Sequence, residues 1–142
     1  MFKVVIIDDE QSAREVLSLQ LARCCKQLEL IGVADGVETG VTLITEKQPD
    51  VVLLDIHLSD GTGFDLLRKL DQIRFKLIFV TAYDHYALKA IKFSALDYLL
   101  KPIDPDEFDR AMKKALSTLE SENQNLKLNA FFNNFKYISQ EA

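Results

Sequence analysis

The chain has 142 residues, enough for one domain that buries about two-thirds of its unfolded surface. Its 48% hydrophobic and 27% charged residues are ordinary for a soluble globular protein, and a net charge of −5 leaves no basic footprint for nucleic acid. No apolar run approaches the ~20 residues of a membrane span, and Asp8 and Asp9 arrive too early for a signal peptide. Cys24 and Cys25 are adjacent, a poor arrangement for a stapling disulfide, which points to a reduced, cytoplasmic setting.

Lys3 to Ile7 reads as a strand ending in Asp8-Asp9-Glu10. Ser12 and Glu15 fit a capping box, and Ala13, Leu17, Leu21 and Cys24 form the stripe of a helix running to about Cys25. Leu28 to Ala34 is a second strand, and Val37, Val41 and Ile44 mark a helix stopped before Pro49. Val51 to Leu54 is four consecutive apolar residues, a buried third strand closed by Asp55. Beyond a loop containing Gly61, Phe64, Leu67 and Leu70 mark a third helix. Lys76 to Val80 is a strand closed by Thr81, Tyr86 to Phe93 a short helix, and Ala95 to Leu100 a strand closed by Lys101-Pro102. Asp104-Pro105-Asp106-Glu107 starts a fifth helix: an Asp cap, Pro first, acids in the first turn.

Five strands alternating with five helices predict a doubly wound α/β fold, a parallel sheet covered on both faces. The all-apolar strands agree, since each must be buried on two sides. Parallel strands share one carboxyl edge, where ligands bind in such sheets. That edge would collect Asp8, Asp9, Asp55, Thr81 and Lys101. Three carboxylates together repel unless a cation holds them, and Lys101 alone leaves too much charge uncompensated. An all-oxygen set without His or Cys partners favours Mg²⁺. A carboxylate beside a divalent cation, a hydroxyl and a lysine can act as nucleophile on phosphorus, with no histidine needed as base.

The order Asp8-Asp9, Asp55, Thr81, Lys101-Pro102 resembles the receiver domain of two-component response regulators over residues 1 to about 120. The resemblance implies a flavodoxin-like (βα)5 fold with a five-stranded parallel sheet of order 2-1-3-4-5. It implies a signalling switch rather than a turnover enzyme, with Asp55 accepting a phosphoryl group from a sensor histidine kinase. Asp9, Asp55 and the backbone carbonyl of His57 would bind Mg²⁺ directly, Asp8 largely through water, and Lys101 would pair with the phosphoryl oxygens. Thr81 would move onto the phosphoryl group and Tyr98 would turn inward, altering the face of the fourth helix, fifth strand and fifth helix, where the family dimerises. The Lys101-Pro102 bond is expected to be cis.

Two rivals frame that expectation. Asp60-Gly61-Thr62 is similar to the Asp-Gly-Thr run of haloacid-dehalogenase-type phosphatases, but His57 stands where their second Asp would act, and the chain has no room for a cap domain. The alternative within the family is a pseudo-receiver, a protein-interaction module that is never phosphorylated; such domains usually lose an acidic or lysine residue that this chain keeps.

From Ser117 the character changes. Met112, Leu116, Leu119, Asn123, Leu126 and Ala130 follow 4-3-4-3-4 spacing, so residues 121–142 read as a helix extension or linker. The favoured expectation is that it packs on its own domain; the alternative is a short dimeric coiled coil with Asn123 setting register. Phe131, Phe132, Phe135 and Tyr137 would need a partner surface. The segments Tyr83 to Ala90 and Ala95 to Ile103 are similar to receivers that precede a LytTR-type DNA-binding domain. That implies a transcriptional output domain outside these residues and no DNA binding by the chain itself.

Overall fold

The computed structural model describes residues 1–141, with side chains through Asn134. Five strands, β1 (Phe2–Ile7), β2 (Leu28–Ala34), β3 (Val51–Leu54), β6 (Lys76–Thr81) and β7 (Asp97–Leu100), form a sheet in the order β2-β1-β3-β6-β7. All four pairings are parallel. Counting these five strands alone, the order is the expected 2-1-3-4-5. The intervening pair, β4 (His57–Leu58) and β5 (Gly61–Thr62), is a small antiparallel ribbon where the sequence predicts a loop. It turns through Ser59-Asp60, and Gly61 holds a φ of 152° that a side chain would resist.

Alternate strand residues point to opposite faces, which is why the strands read as unbroken apolar runs. Val4, Ile6, Val51, Leu53, Ile78 and Val80 face one layer, α1 (Gln11–Cys24) and α5 (Pro105–Glu141). Val5, Ile7, Val52, Leu54, Leu77 and Phe79 face the other, α2 (Val37–Lys47), α3 (Gly63–Arg68) and α4 (Ala87–Lys92). Each layer is closed by aromatics or long aliphatics: Leu17, Leu21, Phe108 and Met112 on the first, Phe64, Leu66 and Leu67 on the second. The predicted helices stand, with ends trimmed by one to two residues at α3 and α4 and by two at the start of β7.

Two expectations fail. Ser12 does not cap α1: the helix begins at Gln11, its N-cap is Glu10, and no side chain caps it. Glu15 instead accepts from the Gln11 side chain at 3.0 Å. The working capping box is at α3, where Thr62 Oγ1 accepts from the Asp65 N–H and Asp65 returns a bond to the Thr62 N–H.

The second failure is at the carboxyl end. α5 runs on without a break, but burial stops at Leu119, and residues 120–134 are exposed. One ion pair, Lys76 Nζ to Glu122 Oε1 at 2.5 Å, ties the start of this extension to the domain. Over its described side chains, through Asn134, the extension therefore does not pack on its own domain. The coiled-coil seam also shortens, because Met112 and Leu119 are already buried in the core, leaving Asn123, Leu126 and Ala130. Phe131 and Phe132 are both more than half exposed and meet edge to face at 5.8 Å; the side chains of Phe135 and Tyr137 lie outside the described residues.

Candidate functional site: an acidic pocket at the carboxyl edge of the sheet

β1, β3, β6 and β7 end side by side, and the residue that closes each strand meets its neighbours there. The Asp8 N–H donates to the Ala34 carbonyl at 3.0 Å and the Asp55 N–H to the Ile7 carbonyl at 3.0 Å. Sheet hydrogen bonding thus carries both residues one step past the strands, where the backbone is fixed and the side chains enter the pocket. The Lys101 N–H likewise donates to the Thr81 carbonyl at 2.8 Å, and the Lys101-Pro102 bond is cis.

The side chains converge as expected. Lys101 Nζ lies 2.6 Å from Asp8 Oδ2 and 3.0 Å from Asp55 Oδ2. The other Asp8 oxygen accepts from the Glu10 N–H at 3.0 Å, and the other Asp55 oxygen from the Ile56 N–H at 2.6 Å. Asp8, Asp9 and Asp55 each offer an oxygen within 4.8 Å of the other two. Asp8 and Asp55 are buried, and Asp9 is exposed at the mouth.

Charge in this pocket is only partly balanced. Burial pushes the Asp8 carboxyl above its usual 3.8, and the Lys101 hydrogen bond draws it back only in part. Lys101 is opposed by burial too, but its hydrogen bonds to Asp8 and Asp55 prevail and hold its pKa above 10.5. One ammonium shared between two buried carboxylates, with a third beside them, leaves room for a divalent cation. Thr81 adds a second incomplete element: it is fully buried, and its Oγ1 has no hydrogen-bond partner among the described residues. A hydroxyl buried without a partner is costly, so its persistence next to this pocket marks it for a ligand oxygen.

Tyr98 lies on β7, partly buried, with its ring 6.0 Å from Phe79 and its hydroxyl donating to the Tyr83 carbonyl in the β6–α4 connection. Burial raises its pKa. His57 opens the ribbon two residues after Asp55; its imidazole is exposed and edge-on to Tyr83, ring centroids 4.2 Å apart.

Gly63 and Arg14 carry no sequence signal for the pocket, and Asp60 carries one that points elsewhere. Gly63 lets α3 start against β3: a Cβ there would lie 2.5 Å from the Asp55 carbonyl oxygen. Asp60 caps α2, accepting from the Val37 N–H at 2.6 Å and the Glu38 N–H at 3.1 Å. These bonds hold its carboxyl below the usual carboxylate range. The Asp60-Gly61-Thr62 run is thus occupied by a helix cap, a ribbon turn and the cap of α3. Arg14 Nη1 donates to the Asp8 carbonyl at 2.7 Å.

Fold and pocket define the class: a doubly wound α/β domain whose polar site lies at the carboxyl ends of its strands. The chain belongs to the response regulator receiver domain family, whose model matches residues 4–113. The sensory transduction protein LytT of Bacillus cereus is 43% identical over 116 residues, 80% of this chain and 47% of that protein. The Bacillus subtilis LytT is 39% identical over 116 residues, 80% of this chain and 48% of that protein. The chain therefore spans about half the length of the curated relatives it matches. Among solved structures, the response regulatory domain of protein mrkE from Klebsiella pneumoniae superposes with a TM-score of 0.78 at 25% identity, covering 84% of this chain and 98% of that one. The REC domain of AraT, a response regulator from Geobacillus stearothermophilus, gives 0.76 at 28%, covering 86% and 98%.

Proposed function

We propose that the chain is a phosphorylation-activated receiver that accepts a phosphoryl group on Asp55 from the phosphohistidine of a sensor histidine kinase. The observation that carries this reading is the Asp55 carboxylate itself, buried between Lys101 and the Ile56 N–H, with an unpartnered Thr81 hydroxyl on the neighbouring strand. In the transfer, an Asp55 oxygen attacks phosphorus and the P–N bond to the donor imidazole breaks. Its electron pair stays on the imidazole nitrogen, which takes up a proton. Lys101 would shift its hydrogen bonds toward the phosphoryl oxygens and stabilise their charge as the bond order changes.

Asp8, Asp9 and Asp55, with the backbone carbonyl of His57, are the residues that would hold Mg²⁺. The donor set fits: three carboxylates within 4.8 Å, hard oxygens only, and a single lysine to offset them. Bound there, Mg²⁺ would neutralise charge on the phosphoryl group.

The switch would run through Thr81 and Tyr98. Thr81 is free to bond a phosphoryl oxygen, and Tyr98, now bonded to the Tyr83 carbonyl, would turn inward as the β6–α4 connection follows Thr81. The surface altered is α4, β7 and α5, where Leu88, Ile91 and Leu100 are exposed. A homodimer through that face or through the helical extension would transmit the change.

Residues 1–120 form the receiver in this reading, and 121–142 lead toward an output domain outside these residues. Likeness to LytT favours a transcriptional, LytTR-type output, through which any DNA contact would be made. Phosphotransfer from a histidine kinase would take place in the cytoplasm, and no described helix is long and apolar enough to cross a membrane. Intact mass after treatment with acetyl phosphate and Mg²⁺ tests the reading. Wild type should gain one phosphoryl group, about 80 Da, and Asp55→Asn none. No gain on wild type would instead support a pseudo-receiver.

A further inference from the structure

We propose that Arg14 is the positioning residue for Asp9, fixing the turn that presents this carboxylate to a divalent cation. The inference rests on the reading of Asp8, Asp9 and Asp55 as an Mg²⁺ site.

Three residues, Asp8-Asp9-Glu10, separate β1 from α1. Asp9 is the exposed member of the acidic trio, and no hydrogen bond among the described residues holds its side chain. Its place is therefore set by the backbone of the turn. Beyond the bond from the Asp8 N–H to the Ala34 carbonyl, three hydrogen bonds define that backbone. Asp8 Oδ1 accepts from the Glu10 N–H at 3.0 Å, the Arg14 N–H donates to the Glu10 carbonyl at 3.1 Å, and Arg14 Nη1 donates to the Asp8 carbonyl at 2.7 Å. The last alone depends on the identity of a side chain in α1. It reaches back six residues and closes the turn.

The planar guanidinium suits this work, since it can spend one donor on the carbonyl and keep the others for water at the half-buried rim. Its charge works against it. A cation beside a cation site lowers metal affinity, so charge and positioning predict opposite outcomes when Arg14 is removed. Positioning dominates in this proposal, because no hydrogen bond among the described residues holds the Asp9 side chain and the turn that carries it depends on this one side chain of α1, whereas the Arg14 charge is partly solvated and screened.

Mg²⁺ binding to the metal-accessible, unphosphorylated chain, measured by isothermal titration calorimetry, decides the matter. Arg14→Ala should weaken Mg²⁺ about ten-fold, as loss of an outer-shell partner does, while the metal-free melting midpoint moves by no more than about 4 °C. Arg14→Lys restores a donor and should recover most of the affinity. In an Asp9→Asn background, Arg14→Ala should have little further effect, because its action passes through Asp9. Unchanged or tighter Mg²⁺ binding by Arg14→Ala would overturn the proposal, as would an equal loss in the Asp9→Asn background. Wild type that binds no Mg²⁺ would overturn the metal site itself, and the role of Arg14 with it.

Discussion

Lys101 and Thr81 are joined by a backbone hydrogen bond of 2.8 Å, from the lysine N–H to the threonine carbonyl, beyond the last strand pairing of β6 with β7. One side chain carries the pocket's ammonium and the other its unpartnered hydroxyl. A rigid link between them means that a ligand drawing on either is read by both strands.

Lys101→Met should abolish phosphoryl transfer and leave two buried carboxylates without their ammonium. Losing one partner of a buried pair costs about 3–5 kcal/mol, and the partial exposure of Lys101 reduces this to about 2. Urea unfolding should record that loss near pH 7. Its pH dependence has a definite sign. The Lys101 pKa is higher in the fold than in the unfolded chain, so the stability linked to the lysine's own proton is whole below 10.5 and disappears as pH rises through the folded value. The difference between variant and wild type should shrink there.

Asp8 behaves in the opposite sense from most carboxylates. Burial holds its pKa above 3.8, so the folded chain keeps a proton that the unfolded chain releases, and this group's contribution falls as pH climbs from 3.8 through the folded value. The cost of Lys101→Met should therefore also diminish in acid, once Asp8 is neutral. Mg²⁺ must compete with that proton, so its affinity should drop at a higher pH than an ordinary carboxylate would give, as calorimetry across roughly pH 4–7 would reveal.

Thr81→Val replaces a buried, unpartnered hydroxyl by a methyl of similar shape. Metal-free stability should hold or rise by about 1 kcal/mol, since an unsatisfied polar group is removed. Phosphorylated Thr81→Val should nevertheless fail to show the change at Tyr98 that wild type shows, followed by aromatic NMR signals. A clear loss of stability would mean that the hydroxyl has a partner in the resting fold.

Gly63→Ala should destabilise the fold by about 2 kcal/mol. The added Cβ meets the Asp55 carbonyl oxygen and two Leu54 side-chain atoms, and a backbone oxygen cannot yield as a flexible side chain can. Because the clash is with Asp55 itself, the rate of labelling by acetyl phosphate should fall as well.

The sequence by itself determined the wound sheet and most of the pocket. Apolar runs closed by Asp8, Asp55, Thr81 and Lys101 fix where strands end, and parallel pairing then brings those ends together whatever the helices do in detail. Tertiary structure decided what runs between chain-distant partners. Ser12 had the spacing of a cap, yet α1 begins before it, at Gln11, where Asp8 and Arg14 both bond the turn. Asp60 looked like part of a catalytic tripeptide, but its carboxylate is spent on the α2 N-terminus, 23 residues away in sequence. Heptad spacing in α5 could not say that Met112 and Leu119 are used by the core and Leu126 is not, because periodicity records a face and not what lies against it. Hydrophobic pattern is local and survives in the sequence; the assignment of each polar group to a distant partner exists only once the chain has closed on itself.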